Sequence, residues 1–414
     1  MEGIYNHKQG IAWDYLQKYG YLKKRISVGM MHTAIVLHDN TARACSSGGE
    51  MQNYDVQSWR DLKEIATCSI GTMGLRYDGQ IYYVSRFNDV ESPVSYWPNN
   101  IKTLANSAGH ILGLTEDGKV VSFAETVSGC ESDVGDWSDI VEIKATQGLS
   151  AGVRKDGTVV VSGNDAIARQ VVLWKNIEHV YCGDKNLVVG LQFDGRVVVA
   201  STNYEFNTSH WKDIIDISCG KNIIAGIQGN GKVFVSGCED CLDNIYTINV
   251  NNRRFSQNDV LTAFATDHTV WMGDAEMGIS PYNNDVDFDM MDAWYGFVQG
   301  FVGLKADGHI EINYDEDDKN CASSDWKVFT ESFDLSAYAP VSVPEPQIET
   351  TSTGAEISTG AENLNDNQTH RTELEKRQKR YMIFGIIGLF LWWPISIYFV
   401  YKYIRVSKEL NSMK

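Results

Sequence analysis

The sequence predicts an all-β fold: a β-propeller of about eight blades, alternatively seven, with Velcro-type closure. A disordered linker and one transmembrane α-helix follow it. Three observations predict this. An Asp-Gly turn between two apolar runs recurs at near-constant spacing. A Trp-x-x-Leu/Ile-x-x-aliphatic motif precedes most of those turns by about 19 residues. An uncharged apolar run of 21 residues stands near the C-terminus.

The turn is seen most clearly in GVRKDGTVVVSG, residues 152–163. Asp156 there could be a catalytic carboxylate, a metal ligand or the corner of a hairpin. Asp-Gly between β-branched runs favours the hairpin, because Gly accepts the positive φ of a tight turn. Its relatives decide the matter. Asp78-Gly79, Asp117-Gly118, Asp194-Gly195, Asn230-Gly231 and Asp307-Gly308 stand in the same context, with Asp39-Asn40 and Asp267-His268 as divergent copies. Successive corners are 39, 39, 39, 38, 36, 37 and 40 residues apart. One copy replaces the Asp, so its charge is dispensable and the residue is a turn former.

The second motif is carried by Trp59-Leu62-Ile65, Trp137-Ile140-Ile143, Trp174-Ile177-Val180 and Trp211-Ile214-Ile217. Trp97 keeps the Trp with one extra residue before Ile101, and Phe288-Met291-Trp294 is an altered copy. Recurrence at one repeat position marks these tryptophans as packing between units rather than as a ligand cage. Short strands, tight turns and a period near 39 give about four strands per unit, which is propeller arithmetic. A half-copy at 326–335 then reads as a closing strand that completes a sheet begun by the N-terminal residues and covers an exposed edge.

Trp-x-x-Ile-x-x-Ile, then Gly, then an apolar run into Asp-Gly and VxxSG resembles the regulator-of-chromosome-condensation repeat. The short spacing is most similar to bacterial members, including the propeller-type β-lactamase inhibitor proteins, and covers roughly residues 20–335. That family implies seven blades, whereas eight corners are counted here. It also implies recognition by loops on a rigid ring, without chemistry. The family's chromatin-bound guanine-nucleotide exchange factor needs a basic docking surface and a wedge insertion. An acidic body with evenly spaced units argues against that activity.

The remaining segments follow in order. Residues 1–19 form an N-terminal lead-in with no apolar core of a secretory signal, and 20–335 the propeller. Residues 336–370, rich in Pro, Ser, Thr and Glu with STGAE given twice, form a disordered acidic linker. Residues 371–380 are a basic juxtamembrane segment, 381–401 the transmembrane helix and 402–414 a short tail. At about 1.5 Å per residue, the 21-residue run matches the hydrocarbon thickness of a bilayer, roughly 30 Å. Five Lys/Arg precede the span and four follow it, so charge leaves orientation undecided. Without an export signal, the expected arrangement is a single-pass protein, C-terminally anchored, with the propeller in the cytoplasm.

The chain carries a net charge of −18. Residues 371–414 hold nine Lys/Arg against three Asp/Glu, a net of +6, which leaves −24 on residues 1–370. Such a body is repelled by phosphates, so no nucleic acid is expected as a partner. The eight cysteines are scattered. Cys238 and Cys241 form one CxxC without the second pair a structural zinc site needs, and reduced thiols are expected. No Gly-x-Ser-x-Gly, Walker or HExxH motif occurs, and His32, His110 and His179 stand as singletons. No enzyme activity, cofactor or metal is expected.

Candidate binding residues are therefore sought in loops that do not repeat. Phe87, Tyr96, Phe123, Tyr204, Phe206, Tyr282 and Tyr314 follow the third apolar run of successive units, so they are expected to ring one face, as aromatics do at interfaces. Acidic runs at 283–292, with Asp285, Asp287 and Asp289, and at 314–320 read as a solvated rim suited to a basic partner. The expected function is a membrane-tethered scaffold binding a protein or peptide through this face. The alternatives are a sensor or enzyme using the central channel, or an exported adhesion or inhibitor module.

Overall fold

The computed structural model describes residues 7–29, 32–46, 55–69, 71–85, 92–124, 132–236, 242–251, 259–274, 278–281, 290–295, 301–313 and 325–331. All belong to one compact unit, Met1–Pro340. The linker, the basic segment, the apolar run 381–401 and the tail lie outside the described residues. Among the described residues no helix is long and apolar enough to cross a membrane.

The chain is mostly β. After helix α1 (Ile11–Tyr19) and a 3-10 turn (Gly20–Lys24), strands follow in hairpin order: β1 (Ile26–Val28), β2 (His32–Val36), β3 (Ala42–Ser46), then β4 (Leu62–Cys68), β5 (Gly71–Arg76), β6 (Ile81–Ser85). Next come β7 (Ile101–Asn106), β8 (His110–Thr115), β9 (Val120–Ala124), and β10 (Ile140–Thr146), β11 (Leu149–Arg154), β12 (Val159–Ser162). Helix α2 (Asp165–Val171) precedes β13 (Ile177–Asp184), β14 (Leu187–Gln192), β15 (Val197–Ser201), and β16 (Ile214–Cys219), β17 (Ile224–Gln228), β18 (Val233–Val235). The last are β19 (Ile245–Asn251), β20 (Val260–Ala265), β21 (Val270–Asp274), β22 (Gly278–Pro281), and β23 (Met290–Tyr295), β24 (Phe301–Lys305), β25 (Ile310–Asn313).

These strands make eight antiparallel sheets among the described residues, seven of three strands and one, β19–β22, of four. Four strands per unit were expected. The difference lies in the connections after the third strand. Residues 165–171 form α2, capped by Asn164 Oδ1, which accepts from Ala166 N (3.0 Å) and Ile167 N (3.3 Å). Pro93–Ser95 form a 3-10 turn, and 203–208 carry no strand. Ser, Asn and Pro in these connections favour caps and turns over a ladder.

Each repeat corner is a type I turn closed by a left-handed residue. Around Asp156, Gly157 N donates to Arg154 O (2.8 Å) and Arg154 N to Thr158 O (2.8 Å). All eight corner residues have positive φ, including Gly157 (77°), Asn40 (62°) and His268 (67°). Asp156 Oδ1 accepts from Thr158 N (3.0 Å) and Oγ1 (2.7 Å). These bonds, the hydroxyl's first, hold its carboxyl below the usual carboxylate range. Asp156 is a turn residue.

The corner also joins neighbouring sheets. The first N–H of the next inner strand donates to its carbonyl: Ile177 N to Gly157 O (3.0 Å), Ile214 N to Gly195 O (3.0 Å), and four more in the same register. The residue before that strand, Asp61, Asp139, Asn176, Asp213 or Asn244, adopts φ near 60°, which Asp and Asn tolerate. This is why the motif reads Trp-x-Asp/Asn-Ile.

A β-bulge explains the spacing of the aliphatics. In a regular strand, residues three apart face opposite sides. In seven sheets the register shifts between the first and third residues of the inner strand, as between Leu62 and Glu64. The extra residue turns both aliphatics, such as Leu62 and Ile65, into one core. The tryptophans pack between sheets as expected: Trp59 lies with Ala34 and Val36 of the first sheet and Leu62 and Ile65 of the second. Each rests on a glycine of its own sheet's middle strand. A Cβ on Gly74 would lie 2.7 Å from Trp59, and one on Gly226 2.9 Å from Trp211.

The first and last sheets share one core with α1. Ile11, Tyr15, Tyr19 and Leu22 pack with Ile26 and Ile35, with Val302 and Leu304, and with Val328 and Phe329. Lys327 O accepts from His38 N (2.8 Å), while Val328 N donates to Gly308 O (2.9 Å). Cys45 is disulfide-bonded, a departure from the reduced thiols expected. Cys182 and Cys219 are thiols without a disulfide.

Candidate binding face and inner polar ring

The first strands of successive sheets approach one another, β4 to β7 to β10 to β13 to β16 to β19, whereas the outer strands diverge. The first strands therefore line the axis. The corners mark one side, the turn side. The hairpin tips between first and second strands, and the ends of the third strands, mark the other, the loop side.

On the loop side, α2 and two hairpins build a hydrogen-bonded platform. Asn164 Nδ2 donates to Lys185 O (2.7 Å). Gln170 donates to Ser201 O (3.1 Å) and accepts from Ser201 N (3.2 Å). Thr202 N donates to Asn186 O (3.1 Å), and Tyr204 N to Ser201 Oγ (3.2 Å). Tyr204 stands on this platform 49% exposed, its ring 6.1 Å from that of half-buried Phe206. Phe206 rests against the core that holds Trp211 and Leu187.

The other candidate aromatics are placed differently. Tyr96 is exposed, but it adjoins Trp97 near the turn-side end of its connection. Phe123 lies within β9, buried, its ring edge-on to Tyr83 at 4.9 Å. Six residues beyond Asp117, it is already in the third strand, and its role there is packing. Phe87, Tyr282 and Tyr314 lie outside the described residues, as do Asp285, Asp287, Asp289, the run 314–320, Cys238 and Cys241. The described aromatics thus contribute one exposed loop-side ring, Tyr204, supported by Phe206.

The histidines join sheets. His32 Nε2 meets Thr72 Oγ1 at 2.6 Å, and His110 Nε2 meets Ser150 Oγ at 2.8 Å, each one sheet further on. His179 Nδ1 donates to Glu142 Oε2 (2.9 Å). It belongs to a polar ring at the third position of the inner strands: Glu64, Thr103, Glu142, His179, Asp216, Thr247. Glu64 Oε2 accepts from Thr103 Oγ1 and Leu104 N, both at 2.8 Å. Asp216 accepts from Lys23 Nζ (2.7 Å) and Tyr181 Oη (2.8 Å). Lys144 pairs with Glu142 (3.4 Å) and lies over the Tyr181 ring.

Burial opposes charge at these sites, and partners overcome it. Burial raises the Glu142 pKa, but the Lys144 charge and the His179 hydrogen bond bring it below the ordinary value. Burial lowers that of His179, but the hydrogen bond and charge of Glu142, with Glu178, carry it above the ordinary value. Asp216 is likewise held low, against its burial, by Lys23 and Tyr181. Burial pushes the neighbouring Cys182 thiol up to about 12, so it is inert as a nucleophile. No three His, Cys, Asp or Glu side chains among the described residues are grouped to hold a metal ion.

Sequence reading missed this ring, although a signal existed. The residue before the second aliphatic of the motif is Glu64, Thr103, Glu142, His179, Asp216 and Thr247 in six successive copies, polar every time.

Repeated sheets whose inner strands converge on a polar ring define a β-propeller. No protein-family model matches the chain, and no curated protein matches it. Solved propellers do. The CRINKLY WD40 ectodomain of the Arabidopsis thaliana receptor kinase ACR4 is similar over 60% of this chain and 93% of its own, at 12% identity and TM-score 0.43. Prp20p from Saccharomyces cerevisiae matches over 68% and 82%, at 13% identity and TM-score 0.42. Sqt1 from the same yeast matches over 68% and 93%, at 11% identity and TM-score 0.38. Likeness at this level carries no conclusion about what the chain does.

Proposed function

We propose that the chain is a protein-binding β-propeller that docks a protein or peptide on its loop side, around Tyr204. The observation that carries this is an exposed aromatic on a platform fixed by hydrogen bonds from α2 and two hairpins. Such a ring binds with little further ordering cost. Prp20p was described with binding to Gsp1p and histones, and that precedent is consistent with this reading. The acidic body suits a basic partner.

In this proposal the ring has eight blades, and residues 327–329 supply the start of the first blade's inner strand. The two bonds that hold Lys327 and Val328 between His38 and Gly308 support the closure. The linker 336–370 and the span 381–401 tether the ring to a membrane, with the propeller in the cytoplasm. A reversed, exported topology is the second reading, favoured by the disulfide at Cys45, since such bonds persist in oxidising compartments. Protease added to intact cells separates the two: cytoplasmic placement predicts a protected propeller, and its digestion establishes the reverse.

Binding is tested with a photo-crosslinking residue at position 204 and another at the exposed turn-side position 212. A discrete adduct from 204 alone, lost in Phe206→Ala, supports the loop side. Equal adducts from both positions, or none, reject it.

A further inference from the structure

The N-terminal segment crosses the turn-side end of the propeller and packs against most of its described sheets. Lys8 pairs with Glu178 of β13. Ala12 N donates to Gly229 O (3.0 Å) at the corner after β17, and Tyr15 packs on Tyr246 of β19 with ring centroids 5.0 Å apart. Lys23 and Lys24 then diverge: Lys23 reaches Asp216 of β16 (2.7 Å), Lys24 donates to Leu104 O of β7. The 3-10 turn that carries them lies against β4, and Arg25 donates to Leu37 O of the first sheet.

We propose that residues 7–24 are a built-in plug that closes the turn-side mouth of the axial channel and makes the channel a cup entered only from the loop side. Three features carry it. The segment is two-sided, with Ile11, Ala12, Tyr15, Tyr19 and Leu22 buried against the propeller. The cavity left between α1 and the wall at Asp216, Ile227 and Tyr246 measures about 10 Å³, room for a single water at most. Lys24 is partly buried with its Nζ donating to Leu104 O, and desolvation lowers its pKa despite the opposing charge of Glu64. A cation is buried in this way only where its position is built in, with partners supplied. The lysines of the plug also pair with Glu178 and Asp216, so plug and ring match in charge as well as shape. The plug stands independently of any partner; only its consequence, that docking occurs at the loop-side rim, rests on the function proposed above.

The test uses the full chain without a partner, so its failure is distinct from failure of the binding reading. An amine-acetylating reagent is applied and each lysine followed by peptide mass spectrometry, with a thiol reagent in parallel. Lys24 is expected to react at least 10-fold more slowly than exposed Lys175 and Lys212. Combining Lys8→Ala with Lys23→Ala is expected to raise the rate of Lys24, while buried Cys68 stays protected. Asp216→Asn, which keeps the side chain's shape, is expected to do the same more weakly. The proposal is overturned if wild-type Lys24 reacts as fast as Lys175, if the variants change nothing, or if Cys68 rises with Lys24. The last result would make the segment inseparable from the cooperative core.

Discussion

Gly226→Ala tests the packing that defines the repeat. Gly226 lies in β17 beneath Trp211, which is 2% exposed. A Cβ there would lie 2.9 Å from Trp211 Cζ3, 3.0 Å from Cε3 and 3.3 Å from Ile214 Cδ1. The first two distances are well inside van der Waals contact, and the ring is wedged between sheets and unable to retreat. Ala for Gly in a strand should otherwise stabilise by about 0.5–1 kcal/mol, while overpacking costs about 1–3 kcal/mol. Overpacking wins, and a net loss of roughly 0.5–2 kcal/mol is expected. The seventh unit shows the compensating pair: Leu242 takes the Trp position and Ala263 the Gly position. Trp211→Leu alone should leave a cavity and cost about 2–4 kcal/mol. With Gly226→Ala it should cost less than the sum by about 1 kcal/mol or more, because the added methyl fills that space. Urea denaturation of the two single variants, the double variant and wild type gives all four terms. Additive losses, or a Gly226→Ala variant as stable as wild type, would refute the reasoning.

Other outcomes follow from the same geometry. The His179 pKa is raised above 6.5, so its stabilisation is full below that value and is lost as pH rises through the folded pKa. The Glu142 pKa is depressed below 4.5, so its contribution is present above that value and is lost as pH falls through the folded one. The melting temperature of wild type minus that of His179→Gln should therefore peak between these limits and shrink on either side; a flat difference removes the pair from the account. Asp156→Asn should leave the urea midpoint unchanged, since Asn230 fills the same role and accepts from Lys232 N at 3.1 Å; a large shift would return Asp156 to the list of functional carboxylates. Asn164→Ala, which removes the α2 cap, should cost about 1 kcal/mol and weaken crosslinking from position 204; unchanged crosslinking would detach Tyr204 from its platform.

The propeller was legible because its corners are local. A left-handed residue in a three-residue turn admits only Gly, Asn and a few others, so each corner leaves a mark in the sequence that no partner far along the chain can erase. The Trp motif was legible for the same reason, though its three-residue spacing contradicts strand periodicity until the bulge is known. A fourth strand in each unit was expected, and where the connections are described in full, at 163–176 and 202–213, none forms, since a period of 39 residues does not say whether Asn164 caps a helix or precedes a ladder. Of the candidate site, Tyr204 was found because loops depart from the repeat, whereas Phe123 was misplaced by counting it beyond the strand. The polar ring and the plug depend on pairs such as Lys23 with Asp216, which a linear reading does not bring together.

The bonds of Lys327 and Val328 to His38 and Gly308 set a timetable. During synthesis the sheets can form in order behind the ribosome, each leaning on the one before. Under the closure proposed above, the first sheet alone waits for residues 327–329 to emerge, and until then the molecule is an arc with two raw edges. Under that closure, truncation short of residue 327 leaves the arc permanent and should yield aggregation rather than a smaller propeller.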